Sequence, residues 1–98
     1  MSSSISVIVT MKAKPGREAE MRAQARSMIE PSRAEPGCLS YNNYVDPEDP
    51  YSWVVIEEWA SRAAFETHMA SPHLADSLAK VGDLLAEPPS VRILSTAN

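Results

Sequence analysis

The sequence has few of the residues that build several common kinds of functional site. Cys38 is the only cysteine among 98 residues, which excludes an intrachain disulfide, a cysteine-ligated zinc ribbon and an iron–sulfur cluster. Only three glycines are present, each isolated, so there is no glycine-rich phosphate-binding loop. No apolar run approaches the roughly 18–20 residues that span a bilayer. We therefore expect a cytoplasmic protein without a metal site or a cofactor.

The charge balance argues against nucleic-acid and membrane partners. Thirteen acidic and nine basic residues give a formal net charge of −4, and the basic residues are scattered along the chain. Nucleic acids and anionic membranes both attract a continuous positive stripe, which is missing here. The length suits a single domain over residues 1–98, with its core between about residues 5 and 94. A lone domain of this size has a thin stability margin, which favours dimerisation.

Alternating and β-branched segments predict four strands. They cover Ile5–Ala13, Cys38–Val45, Tyr51–Trp59 and Ser90–Leu94. The acidic, proline-rich residues 46–50 join the second and third strands as a hairpin turn.

Helical periodicity and capping residues predict helices between the strands. A helix is expected from Glu18 to about Ala34, and Pro31 either kinks it or ends it at Glu30. Ser61 is placed to cap a second helix, and Ser71 followed by proline begins a third. The residues of this third helix predicted to face the core are Leu74, Leu78, Val81 and Leu85.

The order strand, helix, strand, strand, broken helix, strand is that of a ferredoxin-like α+β domain, βαββαβ. Such a domain has an antiparallel four-stranded sheet with its helices on one face. The other face would still carry apolar side chains, which would be exposed to solvent in a monomer. We therefore predict a homodimer formed by sheet-to-sheet packing.

The segment from the third strand into the next helix indicates where a ligand would bind. Trp53, Glu57 and Trp59 alternate onto one side of their strand, and Phe65 and His68 share a face of the following helix. Together they would line an aromatic pocket with few polar groups, suited to a flat apolar ligand. Core packing of Trp59, a hydrogen-bonding role for Glu57 and a structural role for His68 remain alternatives.

Other candidate residues have simpler interpretations. His68 and His73 lie five residues apart, about 140° around an ideal helix, and Pro72 separates them. This spacing predicts no metal-binding pair. Cys38 is expected to be a small buried apolar residue, and Tyr41 is expected on the sheet surface.

Four short motifs occur in a recognisable order. They are Lys14-Pro15-Gly16, Glu35-Pro36-Gly37-Cys38-Leu39-x-Tyr41, Glu57-x-Trp59 and Ala64-Phe65-x-x-His68-x-x-Ser71-Pro72-His73. With these spacings the chain, from about Val7 to Leu94, resembles the antibiotic biosynthesis monooxygenase (ABM) family, especially its small quinol-monooxygenase-like members. The resemblance implies a dimeric α+β barrel and cofactor-free oxygenation of an electron-rich aromatic, such as a quinol or an anthrone, by O₂.

The resemblance also implies roles for individual residues. His68 would be the catalytic base or oxyanion donor, and Trp59 would hold the substrate ring. The substrate-binding set would be Phe65, Glu57, His73 and Trp53. Anthrone-oxidising members carry a strand Asn and a helix Tyr where this chain has Val55 and Phe65, so their mechanism does not transfer intact. Haem oxygenation is not expected, because the first strand has no Asn.

Two other functions fit the same residues. The Ser-Pro-His motif also resembles the autoinducer-processing isomerases on this fold, so an isomerase or other proton-transfer enzyme acting on a small metabolite is one alternative. A non-catalytic dimeric ligand-binding domain is the other. Arg62 and Arg92 are the only obvious cations for a phosphorylated substrate, which disfavours the isomerase.

Overall fold

Four strands form one antiparallel sheet, and short helices pack against one of its faces. The computed structural model describes residues 3–97. The strands are β1 (Ile5–Lys12), β2 (Cys38–Asp46), β3 (Asp49–Trp59) and β4 (Ser90–Ser95). The helices are α1 (Glu18–Arg26), α2 (Ile29–Arg33), α3 (Arg62–Met69) and α4 (Pro72–Val81), followed by a 3₁₀ turn over Gly82–Leu84. None of the helices in this part of the chain is long and apolar enough to cross a membrane.

The sheet has the strand order β2-β3-β1-β4, which confirms the ferredoxin-like α+β prediction. Its register places Tyr41, Glu57 and Val7 side by side on neighbouring strands. Because paired residues project to the same face, these three side chains all point toward the helices. All three are buried. A carboxylate is thus set into the core between the sheet and the helices.

The first helical region differs from its prediction at Pro31. The helix ends at Arg26, and a separate helix, α2, begins at Ile29. Pro31 is therefore neither a kink nor a terminator, because it occupies the first turn of α2. Backbone N–H groups in a first turn have no partner within the helix, so a proline there removes no hydrogen bond.

The two predicted helix starts in the second half of the chain are confirmed. The hydroxyl of Ser61 accepts a hydrogen bond from the Ala64 N–H at 3.1 Å, and that of Ser71 accepts one from the Leu74 N–H at 3.3 Å. Leu78 was wrongly predicted to face the core: its side chain is 48% exposed. It lies over a cavity that the chain itself does not fill.

The face of the sheet away from the helices carries half-buried and exposed apolar side chains, as the alternation predicts. By register and burial these are Ile8, Tyr44, Val54, Ile56 and Leu94. Packing them against a second copy would remove them from water. The sheet-to-sheet homodimer stays a prediction, which sedimentation equilibrium would test.

Gly37 allows the start of β2 to pack closely against helix α3. Its φ is +86°, a left-handed conformation that disfavours side chains, and a Cβ built on it would lie 2.6 Å from the Cβ of Ala64. Its carbonyl accepts a hydrogen bond from the Ala60 N–H at 2.8 Å. The turn preceding β2 is therefore held tightly against the start of α3.

We expect Gly37→Ala to lower the free energy of unfolding by about 2–5 kcal/mol, since left-handed strain costs roughly 1–2 kcal/mol and overpacking about 1–3 kcal/mol. Gly16→Ala is the matched control, because Gly16 also has a positive φ, +84°, but no atom within 4 Å of a built Cβ. Urea unfolding of both variants distinguishes the cost of the left-handed backbone from the cost of the contact with Ala64. Equal losses would show that the contact with Ala64 imposes no constraint.

Candidate active site

A cavity of about 270 Å³ lies between the helix-covered face of the sheet and helices α1, α3 and α4. Its lining is Val9, Met11, Ala25, Met28, Tyr41, Val55, Glu57, Phe65, His68, Met69, Leu74, Ser77, Leu78, Val81, Pro89 and Val91. Glu57 and His68 are the only acidic or basic side chains among them. The cavity is therefore an apolar pocket with one carboxyl and one imidazole, a form typical of small-molecule sites.

Exposed apolar side chains surround the outer part of this cavity. Met69 of α3, Leu78 of α4 and Val91 of β4 line the cavity and are each 48% exposed. An apolar ligand that bound here would shield these three side chains from water.

His68 lies on α3, and aromatic rings surround its imidazole. Its imidazole packs on Trp59, with centroids 4.6 Å apart and planes inclined by 33°. Tyr41 meets it edge-on at 6.0 Å, and Phe65, one helical turn before it, lies at 6.4 Å. The side chain of His68 is buried. Ring contacts on several sides leave the imidazole little freedom to rotate.

Glu35 joins the two histidines of the chain. Its Oε2 atom lies 2.5 Å from Nδ1 of His68 and 2.8 Å from Nε2 of His73. An ionised carboxylate can only accept, so each of these ring nitrogens donates a proton. With the Nδ1 proton of neutral His68 directed at Glu35, its Nε2 atom carries a lone pair. The separation of about 140° and the break at Pro72 predicted no metal-binding pair, yet the two ring centroids lie 6.1 Å apart because both side chains reach Glu35.

Glu57 lies on the other side of the His68 ring. Its Oε1 atom is 3.9 Å from Nε2 of His68 and accepts a hydrogen bond from the Trp59 indole N–H at 2.9 Å. Burial raises the pKa of Glu57 above its ordinary value, while the Trp59 N–H and His68 oppose the shift and Glu35 adds to it. Burial likewise raises the pKa of the Tyr41 phenol, so this hydroxyl keeps its proton.

We expect Glu57→Gln to become progressively more stable than the wild type as the pH rises. Because the native pKa of Glu57 is raised, the unfolded carboxyl ionises first, and stability is lost between the ordinary glutamate value and the native one. Glutamine does not titrate, so the gap in Tm should open across that window and then stay constant. Each kcal/mol corresponds to roughly 4–8 °C in a domain of this size.

Glu58→Gln is the matched control for this experiment, since Glu58 is the next residue in β3 and is exposed on the opposite face. Its Tm difference from the wild type should not depend on pH in this way. A Glu57→Gln gap that is flat, or that closes with rising pH, would contradict the assignment of a buried, costly carboxylate.

The structure brings some of the sequence-predicted site residues together and separates others. Glu57, Phe65 and His68 line the cavity. Trp59 has no exposed surface and is not among the lining residues, so it orients Glu57 and His68 from behind. His73 reaches Glu35 rather than the cavity.

Trp53 also lies outside the cavity lining. It is buried, with the guanidinium of Arg26 positioned 5.4 Å from its ring centroid. This cation–π contact ties the end of α1 to the sheet. The structure therefore places Trp53 where it supports the fold next to the site.

Sequence reasoning missed Glu35 and misplaced Tyr41. Tyr41 was expected on the sheet surface, but it is buried and lines the cavity. The hairpin register contained a usable signal for Glu35: Cys38 pairs with Trp59, which brings the turn before β2 beside the start of α3. Since α3 carries His68, an acid in that turn lies within its reach.

The fold and the cavity define a small ferredoxin-like α+β protein with an apolar site containing a buried imidazole. The family model described as "Antibiotic biosynthesis monooxygenase" matches residues 4–80. The chain therefore belongs to this family, as its motifs indicated.

Individual relatives agree with this assignment. "Putative monooxygenase Rv0793" of Mycobacterium tuberculosis is 38% identical over 97% of this chain and 93% of its own length. The solved structure of Rv0793 superposes with a TM-score of 0.93, covering 98% of this chain and 97% of that one. "Probable quinol monooxygenase YgiN" of Escherichia coli K12 is 32% identical over 92% of this chain and 95% of its own length.

A further relative is longer than this chain. The protein sll1783 of Synechocystis is 39% identical over 95% of this chain, but the match spans only 63% of that protein. The shared part contains nearly all of the domain described above.

Proposed function

We propose that this protein is a cofactor-independent monooxygenase that oxidises an electron-rich aromatic, a quinol or an anthrone-like polyketide, with O₂. The observation that carries the proposal is His68, a buried imidazole in an apolar cavity whose Nδ1 donates to Glu35 and whose Nε2 lies on the side of Glu57. The name of the quinol monooxygenase relative and the family of the chain support the same reaction class.

His68 acts as the base in the first step. Its Nε2 lone pair takes the proton of a phenolic O–H or an activated C–H, leaving a delocalised anion in the apolar cavity. The imidazolium that forms is flanked by Glu35 at Nδ1 and Glu57 near Nε2, so two carboxylates stabilise its charge. A substrate that fills the apolar cavity displaces the water that would otherwise protonate the anion.

The substrate supplies all the electrons in the oxygen steps. The anion passes one electron to O₂, and the resulting radical and superoxide combine in a C–O bond, giving a hydroperoxide that takes its proton from His68. His68 then removes the remaining C–H proton as the O–O bond breaks. One oxygen atom stays as a carbonyl, and the other leaves as water with two substrate hydrogens.

The lining of the cavity favours a neutral aromatic substrate. It contains no lysine or arginine that would hold a phosphate, and its aromatic and methionine side chains suit a flat ring. A volume of about 270 Å³ is close to the lower end of ligand pockets, roughly 300–1,000 Å³. A substrate of one to three fused rings is therefore expected to fit in part within the chain and in part beneath the exposed mouth residues.

The test is ¹⁸O₂ incorporation by metal-stripped protein given a panel of quinols, naphthols and anthrones. We expect one ¹⁸O atom in the newly formed carbonyl of each product molecule and one in water, at a rate above spontaneous autoxidation measured with catalase and superoxide dismutase present. A product containing no ¹⁸O would overturn the oxygenase function. Substrate C–H exchange with deuterium from the solvent under anaerobic conditions, without oxygenation, would instead identify the proton-transfer alternative.

A further inference from the structure

Three potential metal ligands converge beside the cavity. One ring nitrogen of His68, one of His73 and a carboxylate oxygen of Glu35 all lie within 4.8 Å of one another. Two imidazole nitrogens and a carboxylate oxygen are ligands that Zn²⁺ and related divalent ions accept, with open positions left for water. Both histidines already direct a ring nitrogen at the same point, Oε2 of Glu35.

We propose that Glu35, His68 and His73 form a binding site for a divalent transition-metal ion such as Zn²⁺, and that its occupancy switches off His68 as a base. The binding site stands on the geometry alone. The effect on His68 rests on the proposed oxygenase function.

Only a small rearrangement converts the hydrogen-bonded cluster into a metal site. Ligands about 2.0–2.1 Å from a tetrahedral ion lie roughly 3.3 Å apart, whereas the N···O distances here are 2.5 and 2.8 Å. Glu35 must therefore withdraw by less than about 1 Å, while the two imidazole nitrogens, which lie within 4.8 Å of each other, settle at the same spacing of roughly 3.3 Å. It lies in the turn between α2 and β2 and reaches the histidines through a flexible side chain, so the shift does not disturb a helix or a strand.

The charge and the access of the cluster suit a dication. Among residues 3–97, Glu35 has ion-pair contacts with the two histidines and none with a lysine or arginine. Glu57 adds a second carboxyl on the far side of the His68 ring, 3.9 Å from Nε2. A carboxyl that accepts from the outer nitrogen of a metal-bound histidine is a common supporting contact. His73 is 29% exposed in its side chain, which provides a route from solvent.

Metal binding would change which nitrogen of His68 carries the proton. In the hydrogen-bonded cluster Nδ1 holds the proton and Nε2 is free to accept one. A metal ion on Nδ1 needs that lone pair, so the proton of the neutral ring moves to Nε2, where it can be donated toward Glu57. His68 then has no lone pair on the substrate side and cannot act as a base.

The experiment titrates tag-free protein, stripped with EDTA, with Zn²⁺ and with Co²⁺ as a spectroscopic probe. We expect one Zn²⁺ per chain by equilibrium dialysis and visible Co²⁺ absorption of a four- or five-coordinate site. Glu35→Gln and His73→Asn should each weaken binding at least tenfold. Glu30→Gln, an exposed carboxylate on the preceding helix, should bind like the wild type. Imidazole ¹⁵N spectra should show the His68 proton move from Nδ1 to Nε2.

The two parts of the proposal fail separately. Binding that is absent, or unchanged in Glu35→Gln and His73→Asn, would overturn the metal site whatever the oxygenase assay gives. Where the protein shows oxygen uptake, one equivalent of Zn²⁺ should lower the rate at least tenfold, and EDTA should restore it. The uptake rate of His73→Asn should be much less sensitive to Zn²⁺. Full activity with Zn²⁺ bound, or an Nδ1 proton that stays in place, would overturn the switch alone. A protein that binds Zn²⁺ but never consumes O₂ would contradict the proposed function and not the site.

Discussion

His68→Asn is expected to lower substrate-dependent oxygen uptake by at least 100-fold. A positioned acid–base group typically contributes about 10²–10⁴-fold, and His68 is the only imidazole lining the cavity of the described chain. Asparagine keeps a polar side chain in the pocket but provides no basic nitrogen at the position of Nε2. The measurement is the initial rate of oxygen consumption after subtraction of autoxidation.

Glu66→Gln is the matched control for this variant. Glu66 lies on the same helix, α3, but is exposed, and within residues 3–97 its carboxylate pairs only with Arg62, at 3.8 Å. Its rate should equal that of the wild type. If His68→Asn kept more than a tenth of the wild-type rate while remaining folded by circular dichroism, proton transfer by His68 would be refuted.

Glu35→Gln is expected to reduce kcat by about 10–10³-fold with little change in KM. The carboxylate accepts from both histidines and stabilises the imidazolium that His68 becomes. A glutamine amide carries no charge, and if its NH₂ group faces the histidines, both ring nitrogens must accept, which places the His68 proton on Nε2. Glu35 touches no cavity surface, so substrate binding should be unaffected.

The contrast between kcat and KM distinguishes positioning from a general structural role. Glu35→Asp retains the charge but shortens the side chain, so we expect it to recover part of the lost kcat. A variant that raised KM as much as it lowered kcat would indicate that the turn before β2 had moved and that Glu35 acts by shaping the pocket.

The architecture could be predicted from the sequence because it depends on local patterns. Alternation of apolar residues in β1 and β3, the capping serines Ser61 and Ser71, and the glycine turns are all short-range signals. The arrangement of strands then follows from a few topological rules. Pro31 was misjudged because its effect depends on where the helix begins: α2 starts at Ile29, only two residues earlier, so Pro31 lies in a first turn.

Part of the site could be predicted for the same reason. Glu57 is two residues from Trp59 on one strand, and Phe65 is three residues from His68 on one helix, so periodicity alone groups each pair. Periodicity could not predict which of these residues reach a ligand. Trp59 shares a face with Glu57, yet it is buried behind the cavity. It acts on the site through its N–H contact with Glu57 and its packing on the His68 ring.

The sequence by itself determined the order of the elements, the apolar face of each strand and helix, and the family of the chain, because these are properties of neighbouring residues. Only the tertiary structure decided that Glu35 would meet His68 and His73, residues 33 and 38 positions away. The meeting depends on the β2–β3 register, the close approach at Gly37 and the break between α3 and α4. The break is signalled locally by Ser71 and Pro72, but the strand register and the approach at Gly37 are long-range packing outcomes. No single local pattern therefore predicts that Glu35 contacts both histidines.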